Sequence, residues 1–335
     1  MSPSPPLLKS LLVIALFSSV AHGEVSTDQP GAILVFPKIE SSETTDTIIQ
    51  ITNNSGNRVF ARCFYIDGRV TGELPTWLIT DFQTTLTRQQ PTFWVAGIGL
   101  PAVPPDRPED LYPGPIPPVA AGFLGELRCI VVDESENPIG RNALTGEATL
   151  IDRISGSTRK YQATAIRGFP ANDGNNTLLL NESEYSSCPR LLLMNHFFDD
   201  APDPLLAVPI RSRLTVVPCS MDLESSVPGQ ALLQFDVFNE FEQRLSRSLA
   251  VVCFETVELS RIDSSQPQLS IFNYALQGTL VGFSRIQPVA DDDSEHGHGV
   301  LGILEEVRGE HAAAANLHFI GGNLQTDVVV LPDPF

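Results

Sequence analysis

Beyond its first 23 residues the chain has no apolar run that approaches the roughly 18 to 20 residues a bilayer-spanning helix needs. Sequences that mark common enzyme classes are missing too, since there is no Walker motif, no Cys-x-x-Cys and no G-x-S-x-G elbow. No segment shows a long helical period. These absences argue against a helical membrane protein, a P-loop enzyme and an α/β-hydrolase.

Positive charge and cysteine are scarce as well. The chain has 21 Lys and Arg against 40 Asp and Glu, which gives a formal net charge of −19. Such a surface repels phosphate backbones and anionic lipids, so we expect no nucleic-acid partner and no membrane-surface partner. Five cysteines are too few to replace a hydrophobic core, and the odd count leaves one thiol over.

The N-terminus has the pattern of a secretory signal. Lys9 precedes an apolar run at 11–17, and Ala21 and Gly23 stand at the small-residue positions of a cleavage site before Glu24. The sequence therefore predicts a signal peptide at 1–23 and a secreted or periplasmic mature protein without a transmembrane segment.

Strand patterns dominate the remainder. In the segment from Val59, the residues Val59, Ala61 and Cys63 face one way while Arg58 and Arg62 fall on the other side, as in a half-buried strand. The segment TNNSGN just before it is typical of a turn, so two neighbouring strands are expected there. Many such short segments predict a mainly β protein built from antiparallel sheets.

Landmarks occur in the same order in both halves of the chain and indicate a duplication. They are Val35 and Pro37 against Val216 and Pro218, Gln50 against Gln234, Cys63 and Phe64 against Cys253 and Phe254, Arg128 against Arg285, and GEATLID with ATAIRG against GILEEV with AANLHFIGG. We predict two tandem immunoglobulin-like antiparallel β-sandwich domains, at 24–180 and 188–335.

A proline-rich segment interrupts the first predicted domain. Residues 99–122 contain eight prolines, which exclude a central strand or a helix. We expect an extended loop here, and because such segments lose little entropy on docking, it is the predicted interaction element.

Five motifs of the second half carry a resemblance to known sequences: LTVVPC, VFNEFEQR, VVCF, QGTL and NLHF. With the landmarks above, they resemble a group of uncharacterised secreted bacterial proteins with tandem β-sandwich-like repeats. The resemblance covers nearly the whole mature chain. No activity is attached to that group, so it implies no site residues.

The repeat suggests how the cysteines pair. Cys63 and Cys129 each lie on an apolar strand face, so a bridge between them is expected. The repeat partner of Cys253 is Ile286, which leaves Cys219 as the nearest candidate, with Cys188 free or bridged elsewhere. The alternative is that Cys63 and Cys253 are simply small buried residues.

The segment DDDSEHGHG at 291–299 is the sharpest polar cluster. Asp292, Asp293, His296 and His298 are weak candidates for a loop-bound divalent metal, because carboxylates suit Ca²⁺ and imidazoles suit Zn²⁺. The segment matches no known metal motif, and a soluble loop explains it equally. No other cofactor and no catalytic residue is predicted.

Two functions follow from these features. The leading hypothesis is an exported, non-catalytic protein in cell-surface attachment, extracellular assembly or ligand recognition, with a protein or glycan of the cell envelope as partner. Its aromatic candidates for sugar stacking, or for the core, are Trp77, Phe82, Phe93 and Trp94. The alternative is a secreted hydrolase with its site in the second domain, because every histidine after the predicted signal lies there.

Overall fold

The computed structural model describes residues 25–71, 74–103, 108, 111–262, 264–289, 297–323 and 325–334. Strands hold 55% of the residues and helices 4%, in several antiparallel sheets. The predicted fold class, mainly β with sheets packed as sandwiches, is confirmed.

The first sandwich has two facing sheets, ordered β11-β1-β8-β3-β6 and β7-β2-β9-β10, which meet at one short pairing of β1 with β2. A small β4–β5 ladder lies beside them. The strands are β1 (Ile33–Ser41), β2 (Thr45–Asn53), β3 (Val59–Asp67), β4 (Val70–Thr71), β5 (Leu74–Pro75), β6 (Ile79–Leu86), β7 (Pro91–Val95), β8 (Phe123–Val132), β9 (Leu144–Asp152), β10 (Thr158–Gln162) and β11 (Thr164–Ile166).

The second sandwich has a five-stranded sheet, β22-β13-β19-β16-β17, and a four-stranded sheet, β18-β14-β20-β21. A third sheet, β12-β23-β15, joins the two halves of the chain. The strands are β12 (Thr177–Leu180), β13 (Pro189–Phe197), β14 (Ile210–Pro218), β15 (Met221–Asp222), β16 (Gln230–Asn239), β17 (Arg244–Val252), β18 (Glu255–Glu258), β19 (Val281–Pro288), β20 (Val300–Arg308), β21 (His311–Asn316), β22 (His318–Gly322) and β23 (Asp327–Val330).

Helices are short. The 3-10 turns Leu259–Arg261 and Pro267–Leu269 are followed by one helical turn, α1 (Tyr274–Gln277). The Asn273 side chain accepts a hydrogen bond from the Ala275 amide at the start of α1, and Gly278 ends it with a positive φ of 66°.

The strand order repeats. Each strand of the sheet β11-β1-β8-β3-β6 has its counterpart in β22-β13-β19-β16-β17, and β7-β2-β9-β10 corresponds to β18-β14-β20-β21. The landmark pair Arg128 and Arg285 agrees with this order, because each lies on the central strand of its sheet. Cys63 faces Cys129 across β3 and β8, and the equivalent pair is Phe235 with Ile286.

The earlier landmarks are matched one strand out of step. Cys63 lies on β3, whereas Cys253 follows β17, which is the counterpart of β6. The same shift affects the matches of Val35 with Val216 and Gln50 with Gln234. Neighbouring strands of one sandwich share the period-2 apolar pattern, so a local likeness does not identify which strand is compared.

Two disulfides are present, Cys63–Cys129 and Cys188–Cys219. The expected pairing of Cys219 with Cys253 is wrong. Cys253 lies in the turn after β17 with a positive φ of 67°, and its sulfur is 4.0 Å from the Asp67 carbonyl of the first sandwich. Cys188, at the start of β13, faces Cys219 at the end of β14 instead.

The two sandwiches are joined by a continuous apolar core. The outer face of the sheet β11-β1-β8-β3-β6 packs against the second sandwich at the end of β14, the start of β20 and the neighbouring turns, and against β12, β15 and β23. Buried residues from both sides include Val35, Phe64, Val217, Phe254 and Leu301. The segment 177–180, at the end of the first predicted domain, thus pairs with β23, the last strand of the chain.

Buried charges cross the same junction. Lys38 of the first sandwich lies 2.6 Å from Glu305 of the second, and Arg159 lies 2.9 Å from the other oxygen of Glu305. The Glu305 side chain is fully buried. Burial lowers the pKa of Lys38, and the Glu305 carboxylate raises it again.

The proline-rich loop packs against the first sandwich in its described part. At the edge of β6, the Thr85 amide donates a hydrogen bond to the Pro113 carbonyl of the loop over 2.8 Å. Ile116 is 1% exposed, and Leu100 packs against the same core. The described part of the loop is thus anchored on the sandwich, while 104–107, 109 and 110 lie outside the described residues. Its role as the interaction element stays a prediction.

One thiol per chain should be detectable, and only after unfolding. Cys253 is fully buried, and burial raises the pKa of its thiol, so a thiol-specific reagent should not label the native protein. Denaturation without reductant should expose one thiol. Three or five reactive thiols, or rapid labelling of the native protein, would contradict the two bridges.

Removing the buried carboxylate should weaken the junction. Glu305→Gln leaves Arg159 without this counter-charge and Lys38 with only the more distant Glu40, at 3.8 Å, so we expect the free energy of unfolding to fall by about 3 kcal/mol in urea titrations. The control is Glu306→Gln at the next position, where the side chain is 22% exposed and pairs with Arg308. The control should lose less than about 1 kcal/mol. Equal losses of unfolding free energy in the two variants would show that the buried ion pairs stabilise the protein no more than the exposed one.

Candidate functional site

The five-stranded sheet of the second sandwich, called here the open sheet (β22-β13-β19-β16-β17), exposes its outer face. Apolar side chains remain in solvent on it, with Leu232 and Ile320 each 45% exposed and Val281 40% exposed. Sheets of this kind normally alternate apolar inward and polar outward residues, which holds along β16, where every second residue is buried. The exposed apolar residues therefore mark this face as a candidate binding surface.

The equivalent face of the first sandwich is covered. Ile33, Phe64 and Ile130 lie on it and are at most 3% exposed, because the second sandwich packs over them. At the positions equivalent to Phe64 and Ile130, the open sheet has Asp236 and Gln287. The two sheets share a strand order and differ in what covers them.

An arginine occupies the same position on both faces. Arg128 is 1% exposed, pairs with Glu126 and donates to the carbonyls of Pro218 and Cys219 in the second sandwich. Its counterpart Arg285 is exposed. The first arginine thus captures backbone carbonyls of the neighbouring sandwich, and the second presents the same donor group to solvent.

The open sheet is basic in an acidic protein. Its strands carry four arginines (Arg190, Arg244, Arg247, Arg285) and one aspartate (Asp236). Of these, Arg244, Arg285 and Asp236 lie in the rows that face outward, which gives the strands a formal charge of +1 on that face in a chain of −19. Asp236 is bound to Arg244 through both carboxylate oxygens at 2.9 Å or more. An anionic partner is favoured at this surface over a cationic one.

A cleft of about 460 Å³ opens at one end of the open sheet. Its walls combine aromatic, amide and acidic side chains from β13, β16, β19 and β20: Asn195, His196, Phe197, Phe238, Asn239, Glu240, Val281, Gly282, Phe283 and Glu306. The rings of Phe238 and Phe283 lie 6.2 Å apart at an angle of 33°. Such a pair offers a flat apolar wall for a ligand.

The cleft contains the arrangement closest to a catalytic one. His196 Nε2 lies 2.9 Å from the Ser284 hydroxyl, and Nδ1 lies 3.2 Å from the Phe197 carbonyl. A carbonyl only accepts, so the neutral ring donates from Nδ1 and accepts the Ser284 proton at Nε2. Burial lowers the pKa of His196 to about 4. Ser284 is 0% exposed, and among the described residues no carboxylate bonds to the ring, so the pair is enclosed in the core of the sandwich.

The predicted metal candidates are only partly within the described residues. Asp292, Asp293 and His296 lie outside them, and His298 Nδ1 is 3.1 Å from the Gln230 carbonyl. Near His298, buried Asp327 accepts hydrogen bonds from Ser220 and the Gly299 amide, and burial raises its pKa. In this arrangement, Asp327 fixes the end of the loop.

Cys188, Cys219 and Asp327 also bring potential metal-ligating atoms within 4.8 Å of one another. The two sulfurs are bonded to each other, so neither is a thiolate. The cluster therefore does not fit a zinc site in the oxidised protein.

The aromatic candidates from the sequence mostly serve the core. Trp94 is 1% exposed and donates to the Tyr65 hydroxyl over 2.6 Å, and Phe82 is 8% exposed and packs edge-on against Trp94. Trp77 is partly buried, and Phe93 alone of the four is exposed, at 55%. Phe238 and Phe283 of the cleft and Arg285 of the open sheet are not among the site residues predicted from the sequence. The landmark pair of Arg128 and Arg285 does indicate the strand that carries Arg285.

No protein-family model matches the chain, and no curated protein matches it. The resemblance to secreted tandem-repeat proteins therefore stays a prediction. Within the described ranges, no helix is long and apolar enough to cross a membrane.

Acidification should reveal the buried histidine. The folded-state pKa of His196 is about 4 against an ordinary 6.5, so between these values the unfolded chain takes up a proton that the folded chain does not. Stability is therefore lost as pH falls through this window, by about 2 kcal/mol from pH 7.5 to 5.

The matched variant is His196→Gln, whose amide cannot titrate. Buried carboxyls with raised pKa values, such as Asp199, act in the opposite direction and are common to both proteins, so the comparison removes them. The stability difference between wild type and variant should shrink on acidification. A difference that stays constant in urea titrations at the two pH values would contradict a neutral, buried His196.

Proposed function

We propose that the protein is an exported, non-catalytic binding protein of the cell envelope that holds an anionic protein or glycan partner on its open sheet. In this proposal residues 1–23 are a cleaved signal, the sandwiches are immunoglobulin-like, and the mature chain is secreted or periplasmic. Two disulfides agree with a location outside the cytosol.

The observation that carries the proposal is the difference between two equivalent sheets. In the first sandwich the outer face is buried under the second, and Arg128 binds carbonyls there. In the second sandwich the same face is open, keeps an arginine at the same position and exposes apolar side chains beside it. A surface of this kind is suited to binding a partner.

The proposal that the protein is not a catalyst is based on the residues that line the cleft. His196 has a depressed pKa, Ser284 is buried, and Glu240 and Glu306 are the acids in the wall. Nothing in that wall combines an accessible nucleophile with a base able to take its proton near neutral pH. The hydrolase alternative therefore has less support than binding.

The test is retention of envelope material by the immobilised mature protein. Solubilised envelope proteins and extracted envelope polysaccharide are passed separately over wild type, Arg285→Glu and Arg261→Glu. Arg261 is the matched control, because its side chain is 66% exposed and lies in the 3-10 turn outside the open sheet.

Wild type and the Arg261 variant should retain the same species, and Arg285→Glu should retain it at least about fivefold less. Equal retention by both variants, or no retention by wild type from either fraction, would contradict the proposal. Labelling of Ser284 by a fluorophosphonate reagent would favour the hydrolase instead.

A further inference from the structure

Hydrogen bonds at the two ends of β17 show which of its backbone amides and carbonyls point toward β16. The Cys253 amide donates to the Gly229 carbonyl, and the Asn239 amide donates to the Gln243 carbonyl. In the antiparallel register between these points, Leu249 is paired with Leu233 and Ala250 with Leu232. Hydrogen-bonded pairs alternate in such a ladder, so the odd-numbered residues of β17 bond to β16.

The even-numbered residues consequently turn their amides and carbonyls away from β16. They are Arg244, Ser246, Ser248, Ala250 and Val252. Of these groups the Val252 carbonyl accepts from the Phe254 amide, and the Ser246 carbonyl accepts from the Arg247 guanidinium over 3.2 Å. Nearly all residues of β17 are exposed, and it is the last strand on its side of the sheet. One row of strand hydrogen-bonding groups thus faces solvent.

The first sandwich shows how the same fold covers this edge. There the Asp67 amide bonds to the Leu78 carbonyl, which by the same alternation turns Thr85 outward, and its amide donates to Pro113. Phe82 and Arg247 are equivalent, since they face Cys63 and Phe235. Counting three residues on from each, Thr85 of β6 corresponds to Ala250 of β17. The described residues supply no acceptor for the Ala250 amide.

The inner side of β17 is also incomplete. Leu245, Arg247 and Leu249 face the core side, because each pairs with a buried residue of β16. Leu245 is still 36% exposed, and Leu249 is partly exposed. A further strand beside β17 would place its own inward side chains against these two leucines.

We propose that the edge of β17 binds an extended segment of a partner protein as an added strand, with apolar residues on its inner side and acidic residues on its outer side. The inner preference follows from Leu245 and Leu249, and the outer one from Arg244 and Arg285, which face outward together with Asp236 and give that face a positive balance. Small side chains at Ser246, Ser248 and Ala250 leave the edge accessible.

A second copy of the chain is a weaker occupant on charge. Pairing two β17 strands would bring together two segments that each contain two arginines and no acid. It would also bring together two chains with a net charge of −19 each. An acidic strand avoids the repulsion between the arginines at this edge.

The inference rests on the proposed function and is tested with a defined probe. A fluorescein-labelled nine-residue peptide that alternates valine with threonine and aspartate is titrated against the full mature chain by fluorescence anisotropy. Peptides with lysine in place of aspartate, or with a central proline, are the peptide controls. Ala250→Pro removes one outward amide, and Ala250→Thr at the same position keeps it.

Wild type and Ala250→Thr should bind the acidic peptide equally, and Ala250→Pro at least about tenfold more weakly. Should Ala250→Pro fail to fold, amide hydrogen exchange of wild type decides the question. The amides of Ser246, Ser248 and Ala250 should exchange fast in the free protein and become protected with peptide.

Equal binding of the lysine peptide, or no protection of these amides at saturating peptide, would overturn the inference. Protection that grows with protein concentration without peptide would also overturn it, by showing a second copy at the edge. Loss of envelope retention in Arg285→Glu but not in Ala250→Pro would leave the proposed function standing and remove the edge inference alone.

Discussion

A buried arginine holds the two sandwiches together and thereby determines which surfaces remain open. Arg128 is enclosed with Glu126 and donates to the carbonyls of Pro218 and Cys219 across the junction. An arginine buried this deeply is tolerable only where every donor is matched, so the second sandwich must stay seated on that face. Lys38 and Glu305 impose the same requirement a short distance away. The outer face of this sheet in the first sandwich is thus buried, whereas the described residues leave the equivalent face of the second sandwich exposed.

The edges of the sheets also differ in whether another part of the chain covers them. At the edge of the four-stranded sheet, β21 meets β10 of the first sandwich through Asn316, which bonds to both backbone groups of Gln162. At the edge of β6, the proline-rich loop supplies the Pro113 carbonyl. The described part of the chain brings no such cover to β17. An exposed edge of this length invites pairing with other strands, and natural sheets usually protect it. Its exposure here is therefore consistent with a partner that occupies it.

The sequence predicts the class of fold and the duplication, but not the correspondence between strands. Alternating apolar residues and turn sequences identify β-strands because their period is local. That period is the same in adjacent strands, which is why Cys63 was matched with Cys253 when its counterpart is Phe235. Arg285 could be found, since its strand was matched correctly. The exposure of the sheet face that carries Arg285 could not be predicted from the sequence. Whether such a face is covered, as it is at Arg128, depends on contacts between distant parts of the chain. Which amides of β17 face outward follows from the register together with the hydrogen bonds at its two ends.

Site-specific photo-crosslinking in the native envelope tests most directly whether the second sandwich presents the binding edge. A photoreactive residue is placed at Ser248 on β17 and, separately, at Gln83, an exposed residue on the covered equivalent edge β6. Both positions carry outward-facing backbone groups in their strands, so they differ chiefly in what lies beside them. The account predicts a discrete crosslinked partner from position 248 and none from position 83. Crosslinks of equal yield from both positions, or from position 83 alone, would contradict it.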